Sequence, residues 1–299
     1  MLMSYLSSSK EILVQELILL SIKELGSSAN DNSRLDVELI LMYVLGWTKL
    51  DLYMRRKIQF SEKTKHDFIS LLQRRKNNEP VAYLIKNQGF YGLDFYVDKN
   101  VLIPRPDTEF IVSEALDYCK QNKKSTLRVL DACTGSGCVG LSVAKNCSRV
   151  KVQAVDISDD AIHVAKRNQV LNSLQDSQIS FSFMDILQKK SWQALKSCFD
   201  LILCNPPYIS ISESCELMPD VKNYEPHTAL FADNNGLLFY ETLAKYSKSK
   251  LNPGGILIVE IPPKLCQKIC GIFEAQCWSV KSIIKDYNYL ERVVTLQLS

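Results

Sequence analysis

The residues with the most chemical content are Asn205-Pro206-Pro207-Tyr208, which follow the apolar run Leu201-Ile202-Leu203-Cys204. Each proline pushes the residue before it out of the helical region, so the tetrapeptide is stiff before any ligand arrives. In that state the Asn205 side-chain oxygen and the Pro206 carbonyl can both accept hydrogen bonds from one planar NH₂ group. Tyr208 offers a flat face to stack on it. An amide or exocyclic amine nitrogen is a poor nucleophile because its lone pair is delocalised. Two acceptors gripping its hydrogens favour positive charge on nitrogen and hold it in line with an electrophile. The chemistry implied is methylation of a planar nitrogen by positioning and electrostatics, without a covalent enzyme intermediate. No general base is apparent nearby in the sequence. A loop that merely stops a strand would demand no particular residue on either side of the prolines.

A second constellation lies upstream. The strand pattern Arg128-Val129-Leu130 ends at Asp131 and runs into Cys133-Thr134-Gly135-Ser136-Gly137. Small residues there let the backbone turn tightly and approach a cofactor, and the following helix offers its positive end. Gly135 to Gly140 also spells G-x-G-x-x-G, the dinucleotide fingerprint. Asp131 at the strand end favours S-adenosylmethionine over NAD, because it suits a positively charged amino-acid group rather than a pyrophosphate. Asp156, closing the next strand, is placed to accept from both ribose hydroxyls. Asp185 closes a third strand and is expected to accept from an adenine amino group, with Ile186 against the ring; capping of the next turn is its competing role.

These residues need a frame. Ile12, Leu13, Leu17, Leu20 and Leu25 recur at helical spacing with Gly26 as a stop. A second helix runs from about Leu35 to Gly46, and a third follows the N-cap Ser61, with Phe68, Leu71 and Leu72 inward. His66 reads as a surface residue. Phe90-Tyr91, then Leu93 to Val97, a turn at Asp98 to Asn100, and Val101 to Ile103 read as a β-hairpin, stiffened at its exit by Pro104-Arg105-Pro106. Strands are then expected at 128–131, 151–156, 179–183, 201–204, 255–261, 280–285 and 292–298. Helical patterns separate the first five, which implies a parallel doubly wound α/β sheet ending in an antiparallel hairpin. The expected domains are therefore a helical recognition domain at 1–85, a hairpin and proline-rich joint at 86–107, and the cofactor domain at 108–299.

Composition excludes several classes. A formal charge of +3 over 299 residues is too small to argue for nucleic acid. Runs such as Arg55-Arg56-Lys57 and Arg74-Arg75-Lys76 read as solvated helix faces. The ten cysteines include no C-x-x-C pair and no zinc spacing, so neither disulfides nor a metal are expected. Without an apolar leader or a membrane-length apolar run, a cytoplasmic monomer with no membrane association is expected.

Together these segments resemble the HemK/PrmC protein-glutamine N5-methyltransferases. The resemblance rests on Asn78-Glu79-Pro80-Val81-Ala82-Tyr83, Val101-Leu102-Ile103-Pro104-Arg105-Pro106-Asp107-Thr108-Glu109, Asp131 to Gly137, Asp156-Ile157-Ser158 and Asn205 to Tyr208. It continues in Tyr224-Glu225-Pro226, Ala229-Leu230, Gly236-Leu237, and Asp286 with Glu291-Arg292-Val293-Val294. It implies a seven-stranded Rossmann-like methyltransferase sheet with a small N-terminal helical domain joined by a β-hairpin. The implied substrate is the glutamine of the Gly-Gly-Gln loop of class-1 peptide chain release factors, with the helical domain helping to hold it. Asn205 to Tyr208 would then grip the glutamine amide, while residues 133–137, Asp156 and Asp185-Ile186 hold S-adenosylmethionine; Arg105 and Glu225 would be structural or site-lining. Asn-Pro-Pro-Tyr alone is shared with adenine N6 and cytosine N4 base methyltransferases, so that activity is the alternative. A non-catalytic cofactor-binding protein is a third reading. The sequence departs from the family where Ala132-Cys133 replaces a leucine and a glycine, and where Ile261-Pro262-Pro263-Lys264 follows Glu260 in place of a glycine and a glutamine.

Overall fold

A computed structural model of the chain describes residues 2, 5–6, 11–26 and 32–298. It falls into two compact units: Met1–Lys86 with Met218–Tyr224, and Asn87–Leu217 with Glu225–Ser299. No helix among the described residues is long and apolar enough to cross a membrane.

The first unit is built on α1 (Val14–Leu25), α2 (Ser33–Leu45), α3 (Lys49–Met54), α4 (Glu62–Lys76) and α5 (Val81–Ile85). Leu17, Ile18, Ile40, Leu41, Phe68 and Leu72 are buried in one cluster, as their helical spacing requires. Gly46 ends α2 in a left-handed conformation, and Ser61 Oγ accepts from the Thr64 amide to start α4. Ile12 and Leu13, expected to open the first helix, instead form β1 (Ile12–Leu13), which pairs antiparallel with β2 (Lys57–Ile58). The solvated-face reading of Arg74-Arg75-Lys76 fails at Arg75, which is buried and donates from Nε to Asp36 Oδ2 at 2.7 Å. Two helices meet there, and pairing makes the buried charge tolerable. His66 is exposed. The segment Met218–Tyr224 joins this unit through Tyr224, whose hydroxyl donates to the Asn77 carbonyl at 2.8 Å.

The second unit opens with a hairpin shorter than expected. β3 (Gln88–Phe90) pairs with β4 (Leu93–Phe95) across Tyr91-Gly92. Both turn residues have positive φ, 48° and 75°, which matches the twist of a two-residue hairpin. Val101 to Ile103 is consequently loop rather than strand, with Val101 and Ile103 buried and Leu102 half-buried.

Seven strands follow: β5 (Leu127–Ala132), β6 (Val150–Asp156), β7 (Ile179–Phe183), β8 (Phe199–Cys204), β9 (Leu251–Glu260), β10 (Trp278–Lys285) and β11 (Glu291–Leu298). Their order is β10-β11-β9-β8-β5-β6-β7. β5 to β9 are parallel, and β11 inserts antiparallel between β9 and β10. Each crossover carries helices, so both faces are covered. Along β8, Leu201 and Leu203 enter the core on one face while Ile202 and Cys204 enter the core on the other. This is the expected doubly wound, seven-stranded α/β sheet ending in an antiparallel hairpin. The strand order reverses between β5 and β8, and in such sheets the carboxyl ends at that point form a crevice. Asp131 and Asn205 lie at those two ends.

Candidate active site

The Gly-rich loop is held from inside by its own carboxylates. Asp131 is buried, and its Oδ2 accepts from Thr134 Oγ1 at 2.5 Å and from the Gly140 amide at 3.0 Å. A β-carbon on Gly140 would stand 2.7 Å from that oxygen, so only glycine lets the helix approach this closely. Burial pushes the Asp131 carboxyl up to about 7 against these two hydrogen bonds. Asp156 Oδ2 accepts from the Gly135 amide at 2.8 Å and Oδ1 from the Ser158 amide at 3.0 Å. Burial raises its pKa, and these backbone donors oppose the rise. Each Asp156 oxygen keeps lone-pair capacity beyond its backbone donor. Asp185 makes the capping contact that competed with its cofactor role, Oδ1 accepting from the Leu187 amide at 2.9 Å. The buried Ile186 has its carbonyl taken by Trp192 Nε1 at 2.7 Å.

The acceptor loop is braced by residues far away in sequence. Thr108, in the turn Pro106–Thr108, accepts from Asn205 Nδ2 at 3.1 Å and donates its own hydroxyl to Glu260 Oε2 at 2.6 Å. Glu260 ends β9 and is buried; its other oxygen lies 3.5 Å from the Tyr208 hydroxyl, and its carbonyl accepts from Tyr240 at 3.0 Å. Burial pushes the Glu260 carboxyl up to about 7, and burial beside this carboxylate raises the Tyr208 hydroxyl as well. Below the loop, Glu225 accepts from the Ile103 amide at 3.1 Å and pairs with Arg105. Arg292 links Asp286 at 2.8 Å and Asp107 at 3.2 Å.

One cavity of about 970 Å³, counting its open mouth, borders both loops. Asp131, Cys133, Thr134, Gly135, Ser136, Asp156, Asp185, Ile186, Asn205 and Pro207 line it, together with Arg105 and Thr108. Gly137, Pro206 and Tyr208, also singled out in the sequence, do not. Gly137 is buried under Leu141 and Ala165, and Tyr208 packs against the core beside Glu260. An added β-carbon on Gly135 would point into open space. The carboxylates at Asp131, Asp156 and Asp185 suit a ligand bearing a cation and hydroxyl groups better than a pyrophosphate.

Residues 16–85 match the PrmC N-terminal domain, and residues 112–218 match the methyltransferase small domain. A release factor glutamine methyltransferase from Clostridium acetobutylicum is 38% identical over 259 residues, covering 87% of this chain and 89% of that protein. One from Leptospira interrogans is 37% identical over 265 residues, covering 89% and 91% respectively. The chain belongs to the release factor glutamine methyltransferase family. Among solved structures, a methyltransferase from Pyrococcus furiosus overlays with a TM-score of 0.50 at 18% identity, covering 79% of this chain and 98% of that one, and shares the fold.

The sequence marks none of Thr108, Asn168 and Glu260 as a site residue. Asn168 is fully buried and ties the loop down, donating from Nδ2 to the carbonyls of Ser136 at 2.9 Å and Tyr96 at 3.0 Å. It is one of three buried polar residues, with Gln169 and Asn172, at the end of a helix whose other buried residues are apolar.

Cys133, where the family usually has glycine, sits at φ 59°, with its thiol beside Cys204. The left-handed conformation costs an L-residue roughly 1–2 kcal/mol, whereas glycine loses about 0.5–1 kcal/mol more backbone entropy on folding. Cys133→Gly is therefore expected to leave stability unchanged or raise it by up to about 1 kcal/mol in urea unfolding. A clear loss of stability would mean that thiol packing outweighs the backbone strain.

Proposed function

We propose that this protein transfers the methyl group of S-adenosylmethionine to the N5 side-chain amide of the glutamine in the Gly-Gly-Gln loop of class-1 peptide chain release factors. The observation that carries the reading is the shared cavity: the Gly-rich loop and the Asn205 loop face one space at the switch point of the sheet. The names of the relatives supply the substrate class. The open space beyond Gly135 and the acidic lining fit S-adenosylmethionine. In this reading Asp156 and Asp185 hold its ribose and adenine, residues 133–136 line its path, and Asp131 keeps the loop in shape. When bound, that cofactor supplies a methyl group on a positively charged sulfur.

The chain's own residues do the rest. Oδ1 of Asn205, a residue that lines the cavity, accepts one hydrogen of the glutamine amide and orients its nitrogen toward the cofactor side. The Pro206 carbonyl, next in the chain but outside the cavity lining, takes the second hydrogen once the amide has docked on Asn205. As positive charge builds on that nitrogen the two acceptors bind it more tightly, which is stabilisation specific to the transition state. The two prolines keep the acceptors from relaxing. Tyr208, held beside Glu260, backs the loop. All ten cysteines are free thiols, in keeping with a cytoplasmic protein, and we read it as a monomer without nucleic-acid contacts.

Purified protein with methyl-labelled cofactor is expected to add one methyl to the Gly-Gly-Gln glutamine of a release factor, located by mass spectrometry of the digested product. Labelling of DNA with none on the release factor would overturn the reading.

A further inference from the structure

Resting on that reading, we propose that Thr108 and Glu260 are positioning residues whose hydrogen-bond chain fixes which end of the Asn205 amide faces the substrate. An asparagine side chain has an acceptor end and a donor end of nearly equal shape, and only the acceptor end can receive a glutamine NH₂. Nothing local to the Asn205-Pro206 backbone chooses between them. Thr108 does. Its single hydroxyl hydrogen goes to Glu260 Oε2 at 2.6 Å, so only lone pairs remain to face Asn205. The atom opposite them, at 3.1 Å, is therefore Nδ2, and Oδ1 is turned away from Thr108. Thr108 and Asn205 both line the cavity, and because Thr108 already engages the Nδ2 end, the Oδ1 end is the one left for a ligand there.

The polarity begins at Glu260. While its carboxylate accepts, the order donor-to-acceptor runs one way from Asn205 through Thr108. With a proton on Oε2, Glu260 becomes a donor, the Thr108 hydrogen is freed toward Asn205, and the amide is stabilised in the flipped, unproductive sense. The groups around this carboxylate are Tyr208 at its second oxygen, Tyr240 at its carbonyl, and the charges of Asp107 and Arg292. Cys138 also feels its charge. Burial places its titration at about 7, within reach of an assay.

The test uses the full-length enzyme and its release-factor substrate. Thr108→Val keeps the volume and removes the hydroxyl; kcat is expected to fall by about tenfold or more, with the KM for cofactor within about twofold. Thr108→Ser keeps the hydroxyl and should retain most of the wild-type kcat. A packing role would give the reverse order, with serine, which loses a methyl group, worse than valine, and that outcome would overturn the proposal. Glu260→Gln keeps a carbonyl acceptor without a titrating proton. The ratio of its kcat to that of the wild type should rise as pH drops from about 8 to 6, by up to about tenfold for a group titrating at about 7. The direction follows because the productive form is the ionised one, abundant above the folded pKa and lost below it. A ratio flat with pH would also overturn the proposal. Absence of wild-type methylation would instead count against the function itself, so the two failures are distinct.

Discussion

Asn205→Ala is expected to lower kcat by about 10²–10³, the equivalent of roughly 3–4 kcal/mol of transition-state stabilisation, while cofactor affinity changes little. The reason is differential. The Asn205 oxygen meets an amide hydrogen that is weakly acidic in the ground state and more strongly so once the nitrogen carries positive charge, so the lost bond is worth more in the transition state. The Pro206 carbonyl remains, because the backbone is set by the two prolines, which leaves residual turnover. The side chain contributes little to folding: Asn205 is half-buried, and its single described hydrogen bond is to Thr108. Single-turnover kinetics with saturating cofactor, beside a calorimetric cofactor titration, separate the two quantities. Turnover within about threefold of wild type would remove the side-chain oxygen from the mechanism.

Gly236→Ala is expected to disable the enzyme through a close backbone contact that the Gly236-Leu237 pair does not by itself reveal. Asn234, Asn235 and Gly236 take three successive left-handed conformations, with φ of 53°, 54° and 83°. Asparagine tolerates that region better than most residues do, and the turn they form seats Gly236 against the acceptor loop. A β-carbon there would lie 2.2 Å from the Tyr208 carbonyl oxygen and 3.1 Å from its carbon. The obstructing atoms are backbone, so no side-chain rotation relieves the clash and the loop itself must shift. A displacement of an ångström at Tyr208 is transmitted to Asn205 through the rigid prolines. We expect a fall in kcat of about 10² from misplacement alone, with a loss of stability of roughly 1–2 kcal/mol from the left-handed backbone. The check is kcat per folded molecule, with folding followed by circular dichroism. A folded variant of normal activity would show that this packing does not set the loop.

Much of the molecule was legible because its signals are local. The alternation of apolar runs with helical patterns gave all seven strands of the sheet, because a doubly covered parallel sheet requires continuous apolar strands and helical crossovers. Val101 to Ile103 reads as strand in the sequence but folds as loop, since a largely buried loop and a strand share the same apolar composition. In the sequence Arg75 reads as solvated, because a basic run on a helix looks the same whether or not an acidic partner waits on another helix. Asp36 lies 39 positions away, and only packing brings the two together.

By itself the sequence determined the stiff acceptor loop Asn205 to Tyr208, the small-residue turn from Cys133 to Gly137, and the carboxylates at the strand ends. Each is written in a few consecutive residues whose backbone preferences are intrinsic. The tertiary structure alone decided which of these residues share a cavity. It turned Tyr208 and Gly137 toward the core, and it folded Asp131 into its own loop. It also set Thr108 between Asn205 and Glu260, partners 97 and 152 positions apart in the chain. A bond between a hydroxyl and a side-chain amide keeps one sense only when the other donors and acceptors around it are already committed. That commitment is a property of packed neighbours and leaves no trace in local residue preference.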